Sequence, residues 1–174
     1  GIATLGVMLP PSPLHHLLSR QCGSWLVVTS ANRKGEPMHT NDEEAASELS
    51  NFVDGILSHD REITHLADDS VVRLADTQCI VLRHARGLAP TEIAVEENDF
   101  AGIGFGGHSK AAFSLAIPKR LILSQHIGEL NSVRAKRTFA RELDSYAQIY
   151  PQVSGVNACD AHSAYGSSSL ASQR

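Results

Sequence analysis

Thr29-Ser30-Ala31-Asn32 follows the apolar run Trp25 to Val28 and leads through Arg33-Lys34 into Gly35-Glu36-Pro37. A hydroxyl and an amide two residues apart at the mouth of a strand can hold a phosphate, a carboxylate or an amide, together with local backbone N–H donors. The plainer reading of the same residues is a polar strand-to-loop turn. His59 and Arg61 alternate, so on a strand they share a face and can bind an anion. An exposed strand end with solvated charges is the equal alternative. Arg83 and Arg86 stand beside a turn containing Gly87, where two guanidinium groups can fork onto phosphate oxygens. Asp68-Asp69-Ser70 offers paired acids for a metal or a ribose, or simply a turn in which Asp caps its own backbone.

These groups need elements to position them. Leu5 to Leu9 and Trp25 to Thr29 read as strands, and so do Val53 to Leu57, Val71 to Arg73 and Gln78 to Leu82. Ser12-Pro13 predicts a helix start, with Leu14, Leu17 and Leu18 on one face. His15 and His16 point about 100° apart on that helix and make a poor metal pair. Asn41-Asp42-Glu43-Glu44 predicts a capped second helix that packs one face on the sheet. Pro90 and the acidic stretch Glu92 to Asp99 predict a domain boundary, crossed by few contacts.

A second pattern begins at Ala101. Gly102, Gly104, Gly106 and Gly107 suggest a dinucleotide fold, which the lack of a following helix argues against. A glycine-rich strand feeding a hairpin, Ala111 to Ile117 and Arg120 to Ser124 around Pro118-Lys119, suits the phosphate loop of an actin-like or ribonuclease-H-like fold better. Asn131 is expected to cap a helix to about Tyr150, with Val133, Phe139, Ala140, Leu143, Tyr146, Ala147 and Tyr150 as its apolar face. Arg134, Lys136, Arg137 and Arg141 read as its solvated face. A short strand over Val153 to Cys159 and a frayed, serine-rich end from Gly166 complete the pattern.

The bulk composition sets limits. The 174 residues are 42% hydrophobic and 20% charged, which predicts a packed core. A net charge of −4 gives no electrostatic footprint for nucleic acid or an anionic membrane, and no apolar run is long enough to span a bilayer. Cys22, Cys79 and Cys159 are widely spaced and odd in number, which predicts reduced thiols in a cytoplasmic protein. Gly1 to Leu5 has no charged start of a signal peptide, and the absence of an initiator Met suggests a chain that begins inside a longer protein.

Taken in order, Leu5-Gly6-Val7-Met8-Leu9-Pro10, Pro13-Leu14-His15-His16-Leu17-Leu18, Thr29-Ser30-Ala31-Asn32 and Gly35-Glu36-Pro37 resemble the hydrogenase-maturation carbamoyltransferases of the HypF family. The likeness continues through His59-Asp60-Arg61, Asp68 to Arg73, Ala85 to Pro90, Leu123 to Leu130 and Ala158 to His162. It implies an α/β chain in two incomplete halves. Residues 1–94 would be the C-terminal part of a YrdC-like domain, a mixed twisted sheet with helices. Residues 99–174 would be the N-terminal part of a Kae1-like domain, a partial ribonuclease-H-like (actin-like ATPase) unit. The chain then looks like an interior fragment or a decayed gene product.

In that family the first domain makes carbamoyl adenylate from carbamoyl phosphate and ATP with Mg, and the second passes the carbamoyl group to a cysteine of HypE. The resemblance implies nucleotide binding at Ser30, Asn32, His59, Arg61, Arg83 and Arg86, and a second-domain site at Lys110 and His126. It assigns no catalytic residue and no metal ligand in this chain. Glu62 stands where the family usually has Pro, and Leu66 where it usually has Arg. Gly107-His108-Ser109-Lys110-Ala111-Ala112 replaces Gly-x-Glu-Leu-Lys-Asn-Thr. Gaining a carboxylate and losing a guanidinium beside an anion site disfavour phosphate, at about 1–3 kcal/mol per lost charged contact. The expectation is a carbamoyltransferase fragment, impaired alone. The alternatives are a non-catalytic nucleotide-binding or protein-interaction module and a threonylcarbamoyl-AMP synthase-like protein.

Overall fold

The computed structural model describes every residue except Gly1, Ile2, Thr4, Ser24, Glu97, Asn98 and Ser154. The expected boundary falls partly on Glu97 and Asn98, and the expected last strand partly on Ser154; those positions lie outside the described residues. The chain divides into two compact units, Gly1–Ser30 and Ala31–Arg174.

Among its described residues the first unit contains one helix, α1 (Pro13–Cys22). Its start is the predicted one: the Ser12 side chain accepts from the His15 N–H and Pro13 opens the first turn, where its missing N–H costs nothing. Gly23, at φ 61°, ends it in the left-handed conformation. Leu5 to Leu9 and Trp25 to Thr29 are not strands. A strand exists only through ladder hydrogen bonds with a neighbour, and among the described residues these segments have none. Their apolar side chains stay in water, Trp25 at 97% exposure.

The second unit opens with α2 (Asp42–Leu49), capped by Asn41, whose Oδ1 accepts from the Glu44 N–H at 2.9 Å. The cap is as predicted, but the packing is not. No α2 residue is buried, and what holds the helix is Glu48, ion-paired to Arg134. Val53 to Leu57 is also not a strand. The hairpin β1 (Val71–Ala75) and β2 (Gln78–Arg83) is antiparallel, with Val72 opposite Val81 and Ala75 opposite Gln78. Asp76 makes its turn at φ 56°, a conformation Asp tolerates better than most residues.

The remaining strands form a five-stranded sheet. They are β3 (Thr91–Ala94), β4 (Gly102–Gly104), β5 (Ser114–Ile117), β6 (Arg120–Leu123) and β7 (Val156–Ala158), in the spatial order β3-β6-β5-β4-β7. All neighbours are antiparallel except β4 and β7. Lys119, at φ 63°, makes the predicted β5–β6 turn. The few-contacts expectation at the acidic stretch fails here. Thr91 pairs with Leu123 and Ala94 with Arg120, while the Val95 N–H donates to the Lys119 carbonyl at 3.0 Å. Glu92 sits on this exposed edge strand, where it meets Arg120 at 3.2 Å, so ladder bonding takes precedence over charge pattern.

Helix α3 (Val133–Ile149) lays Phe139, Leu143 and Tyr146 against Phe105, Phe113, Leu115 and Ile122 of the sheet side, all buried. The Phe113 ring meets the edges of Phe139 at 5.4 Å and Tyr146 at 5.0 Å. Its cap is Ser132 rather than Asn131, because Asn131 Oδ1 instead meets His108 Nε2 at 2.7 Å. Val133, expected inside, is exposed, and Glu142 is buried in the apolar face. Gly102 is required at its position: a Cβ there would lie 2.5 Å from the Val156 carbonyl oxygen of the parallel neighbour.

The C-terminal segment is not frayed. It forms α4 (Gly166–Ala171), with Ser167 and Ala171 buried. Small side chains permit this close docking. A Cβ on Gly166 would fall 2.8 Å from Leu130, and the Gly166 N–H donates to His108 Nδ1 at 2.9 Å. No described helix is long and apolar enough to cross a membrane.

Candidate functional site

Three of the expected site residues converge. Arg83, Lys110 and His126 line one cavity of about 340 Å³, together with Glu129 and the apolar Val71 and Leu82. Arg83 comes from the last position of β2, and its Nη1 donates to the Asp69 carbonyl at 3.5 Å. Lys110 stands at φ 52° in the turn before Ala111, with its N–H donated to Glu129 Oε1 at 3.1 Å. His126 lies just past β6. An isolated bridge between Ala111 and Gly128 draws the two loops together, with bonds of 2.7 and 2.8 Å. The loops thus bring residues 16 or more positions apart to one rim.

The electrostatics of the rim are directional. Burial holds the His126 imidazole below its ordinary pKa; the charges of Arg83 and Lys110 add to this, while Asp68 and Glu129 oppose it. Glu129 is held below the usual carboxylate range, first by the Ser109 hydroxyl and also by the Lys110 N–H, His108 and His126. At neutral pH the rim therefore carries two fixed cations, one carboxylate and a neutral imidazole that can accept or donate. That set suits an oxyanion such as phosphate, with Arg83 as the planar fork and Lys110 as the point charge.

The other expected residues lie elsewhere. Arg86 is exposed and ion-paired to Asp69, and lines a different cavity of about 260 Å³ with His65, Leu66, Gln125 and Tyr146. His59 and Arg61 do not share a strand face. They sit in an exposed loop, where the Arg61 N–H donates to His59 Nδ1 at 3.1 Å. Asn32 Nδ2 donates to the carbonyls of Glu36 at 2.7 Å and Arg33 at 3.1 Å, closing its own loop, and its buried Oδ1 has no partner among the described residues. Ser30 is exposed at the end of the first unit.

Arg134, read as solvated, is half-buried and ion-paired to Glu48. The three cysteines are free and exposed. Among the described residues no three His, Cys, Asp or Glu side chains gather as a metal site. Asp69 is committed to Arg86, so the paired acids do not fit a cation.

Two polar residues escaped the sequence reading. Glu129 was visible only as part of a polar loop. Glu142 had a signal: it stands three residues after Phe139 and four before Tyr146, squarely on the apolar face of α3.

A hairpin half joined to a five-stranded sheet, with a cationic cavity between them, defines a composite α/β protein assembled from portions of two domain types. Residues 1–85 match the Sua5/YciO/YrdC family, described as telomere recombination, and residues 97–174 match the HypF Kae1-like domain. The chain belongs to the HypF family and carries YrdC-like and Kae1-like portions.

Among its relatives, carbamoyltransferase HypF of Rhodobacter capsulatus is 39% identical over 165 residues, 93% of this chain and 22% of the relative. Carbamoyltransferase HypF of Synechocystis sp. is 36% identical, over 86% of this chain and 20% of the relative. The crystal structure of full-length HypF in a phosphate- and nucleotide-bound form superposes with a TM-score of 0.84 at 30% identity, over 98% of this chain and 27% of that one. The HypF structure from T. kodakarensis gives a TM-score of 0.73 at 31% identity, over 83% of this chain and 19% of that one. The chain thus spans about a fifth of the length of the curated relatives it matches.

Proposed function

We propose that this chain is the segment of a carbamoyltransferase that binds the phosphate-bearing reactants, in the cavity of Arg83, Lys110 and His126. The reaction is formation of carbamoyl adenylate from carbamoyl phosphate and ATP, for transfer to a HypE-like partner in hydrogenase maturation in the cytoplasm. Residues 1–94 and 99–174 are its YrdC-like and ribonuclease-H-like (actin-like) portions. ATP would bring magnesium bound to its triphosphate.

The observation that carries the reading is the convergence of Arg83, from the YrdC-like portion, with Lys110 and His126, from the Kae1-like portion, on one rim. The phosphate- and nucleotide-bound state of the homologous full-length protein supports the ligand class. Asn32, His59, Arg61 and Arg86 are not among the residues lining that cavity, and Ser30 belongs to the first unit. Binding without efficient turnover is the expected behaviour.

Calorimetric titration of the chain with ATP, carbamoyl phosphate and inorganic phosphate tests this. Binding that is lost in the Arg83→Ala, Lys110→Gly double variant is the expected result. No binding of any of the three by the folded wild-type chain would refute the proposal.

A further inference from the structure

We infer that Glu142, buried in the apolar face of α3, is a positioning residue that fixes the backbone leading into His126 on the rim of the Arg83–Lys110–His126 cavity. The inference deepens the reading of that cavity as an anion site and rests on it for its ligand measurement. Glu142 is 1% exposed, and its carboxylate is shared among three partners. Oε1 accepts from the Leu66 N–H at 3.3 Å; Oε2 meets Gln125 Nε2 at 2.9 Å and His65 Nδ1 at 3.1 Å. Arg141 Nη2 approaches Oε1 at 3.8 Å. Gln125 is fixed further by the Tyr146 hydroxyl, which donates to its Oε1 at 2.6 Å, and by its own weak donation to the Leu66 carbonyl at 3.4 Å.

The partners explain the role. Gln125 immediately precedes His126 in the chain. Leu66 stands two residues before Asp68, whose charge acts on His126. One buried carboxylate therefore ties the segment that leads into Asp68 and β1 to the segment that carries His126, across 76 residues of sequence for the Leu66 bond. A carboxylate placed in an apolar helix face is expensive unless every oxygen is bonded, and here each is. Leu66 contributes its backbone N–H and carbonyl and a buried side chain to this arrangement.

The test uses the full chain and the Glu142→Gln variant. The amide keeps the shape but has a single acceptor oxygen. Whichever way it turns, its NH₂ faces either the Leu66 N–H or the Gln125 amide donor. One tie is lost, and the loop carrying His126 loosens.

Two quantities are read: sulfate affinity by calorimetry, and the His126 titration by NMR of its imidazole protons. Expected are about ten-fold weaker sulfate binding and a His126 pKa that rises toward 6.5 as water reaches the ring. The charges that act on His126 are those of Asp68, Arg83, Glu129 and Lys110, so a rise on changing Glu142 reads the loosening of the loop. Asp144→Asn, on an exposed site of the same helix, should leave both unchanged.

A folded Glu142→Gln variant with wild-type affinity and an unshifted or lowered His126 pKa overturns the inference. If that variant does not fold, His65→Ala, at a site 47% exposed, carries the test. A smaller shift in the same directions supports the inference, and no shift overturns it. Wild-type chain that ignores sulfate would sink the anion-site reading, and the His126 titration would then decide the role of Glu142.

Discussion

The backbone N–H of His126 donates to the carbonyl oxygen of His84 at 2.7 Å, pinning the loop after β6 to the residue that follows β2. The His84 ring extends the clamp, with Nδ1 3.2 Å from the Ser124 carbonyl and Nε2 2.7 Å from the Thr91 hydroxyl. A carbonyl only accepts, so Nδ1 carries a proton toward Ser124, while the Thr91 hydroxyl, which also donates to the Leu88 carbonyl at 3.0 Å, closes the clamp at Nε2. Arg83 and His126 owe their shared rim to this junction.

If the rim is an anion site, its two fixed cations should contribute separately. Arg83→Ala is expected to weaken inorganic phosphate binding by about ten-fold, in line with roughly 1.5–3 kcal/mol for a charge-assisted hydrogen bond less its screening at an open site. Lys110 occupies left-handed backbone at φ 52°. Lys110→Gly therefore removes the ammonium while easing the backbone, so weaker binding with unchanged or higher thermal stability would isolate the charge. Calorimetry and a thermal melt on the same samples check both.

The imidazole gives the site a pH dependence with a definite sign. His126 is held below 6.5 by burial, aided by Arg83 and Lys110, so it is neutral at pH 7. A bound anion favours its protonated form and takes up a proton. Sulfate does not itself titrate between pH 5 and 7, and its binding should strengthen as the pH falls through that window. His126→Gln should flatten the profile. For folding the sign reverses: a depressed His pKa contributes stability above 6.5 that is lost as the pH falls through the folded value, which urea melts at pH 7 and pH 5 would register.

Tyr146 makes a prediction at the alkaline end. Burial, with the charge of Glu142, pushes its phenol up from 10 to about 12. A raised folded pKa gives stability that is complete below the unfolded value and declines as the pH rises from about 10 to 12. The loss is of order 2–3 kcal/mol. Tyr146→Phe should flatten this part of the denaturation profile, at the cost of the hydrogen bond to Gln125.

Much of the second sheet was legible because its signals are local. Pro118-Lys119 between two apolar runs forecast the β5–β6 hairpin, and Ser12-Pro13 and Asn41 announced their helices. What failed was whatever depends on partners. Trp25 to Thr29 has the right residue types for a strand, but type alone supplies no ladder. The acidic 92–99 stretch looked like a linker because charge suggested solvent, while Thr91 to Ala94 had a neighbouring strand to join. Gly166 to Ala171 looked frayed because small residues carry little hydrophobic signal, yet smallness lets them dock against Leu130. Of the site, Arg83, Lys110 and His126 were named from motifs, but no sequence pattern said that they, and not Arg86, would share a cavity. That grouping follows from Asp69, which engages Arg86 and turns it to a different face.

The last prediction concerns turnover. Adenylation requires the triphosphate, the carbamoyl donor and the attacking oxygen to be held together, and most of the rate advantage comes from that positioning and from preorganised cations. The 174-residue chain brings Arg83 and Lys110 to one rim, while Arg86 is paired with Asp69. It also spans only 22% of its Rhodobacter capsulatus relative. Two cations on an open rim can hold a phosphate but cannot stabilise the charge that develops between two polyanionic reactants. Purified chain incubated with magnesium, labelled ATP and carbamoyl phosphate should therefore give no carbamoyl-phosphate-dependent AMP and pyrophosphate beyond that of the Arg83→Ala, Lys110→Gly variant, even where calorimetry detects binding. Robust release above that control would mean that the chain assembles a complete adenylation site, and the picture of a binding segment without efficient catalysis would be wrong.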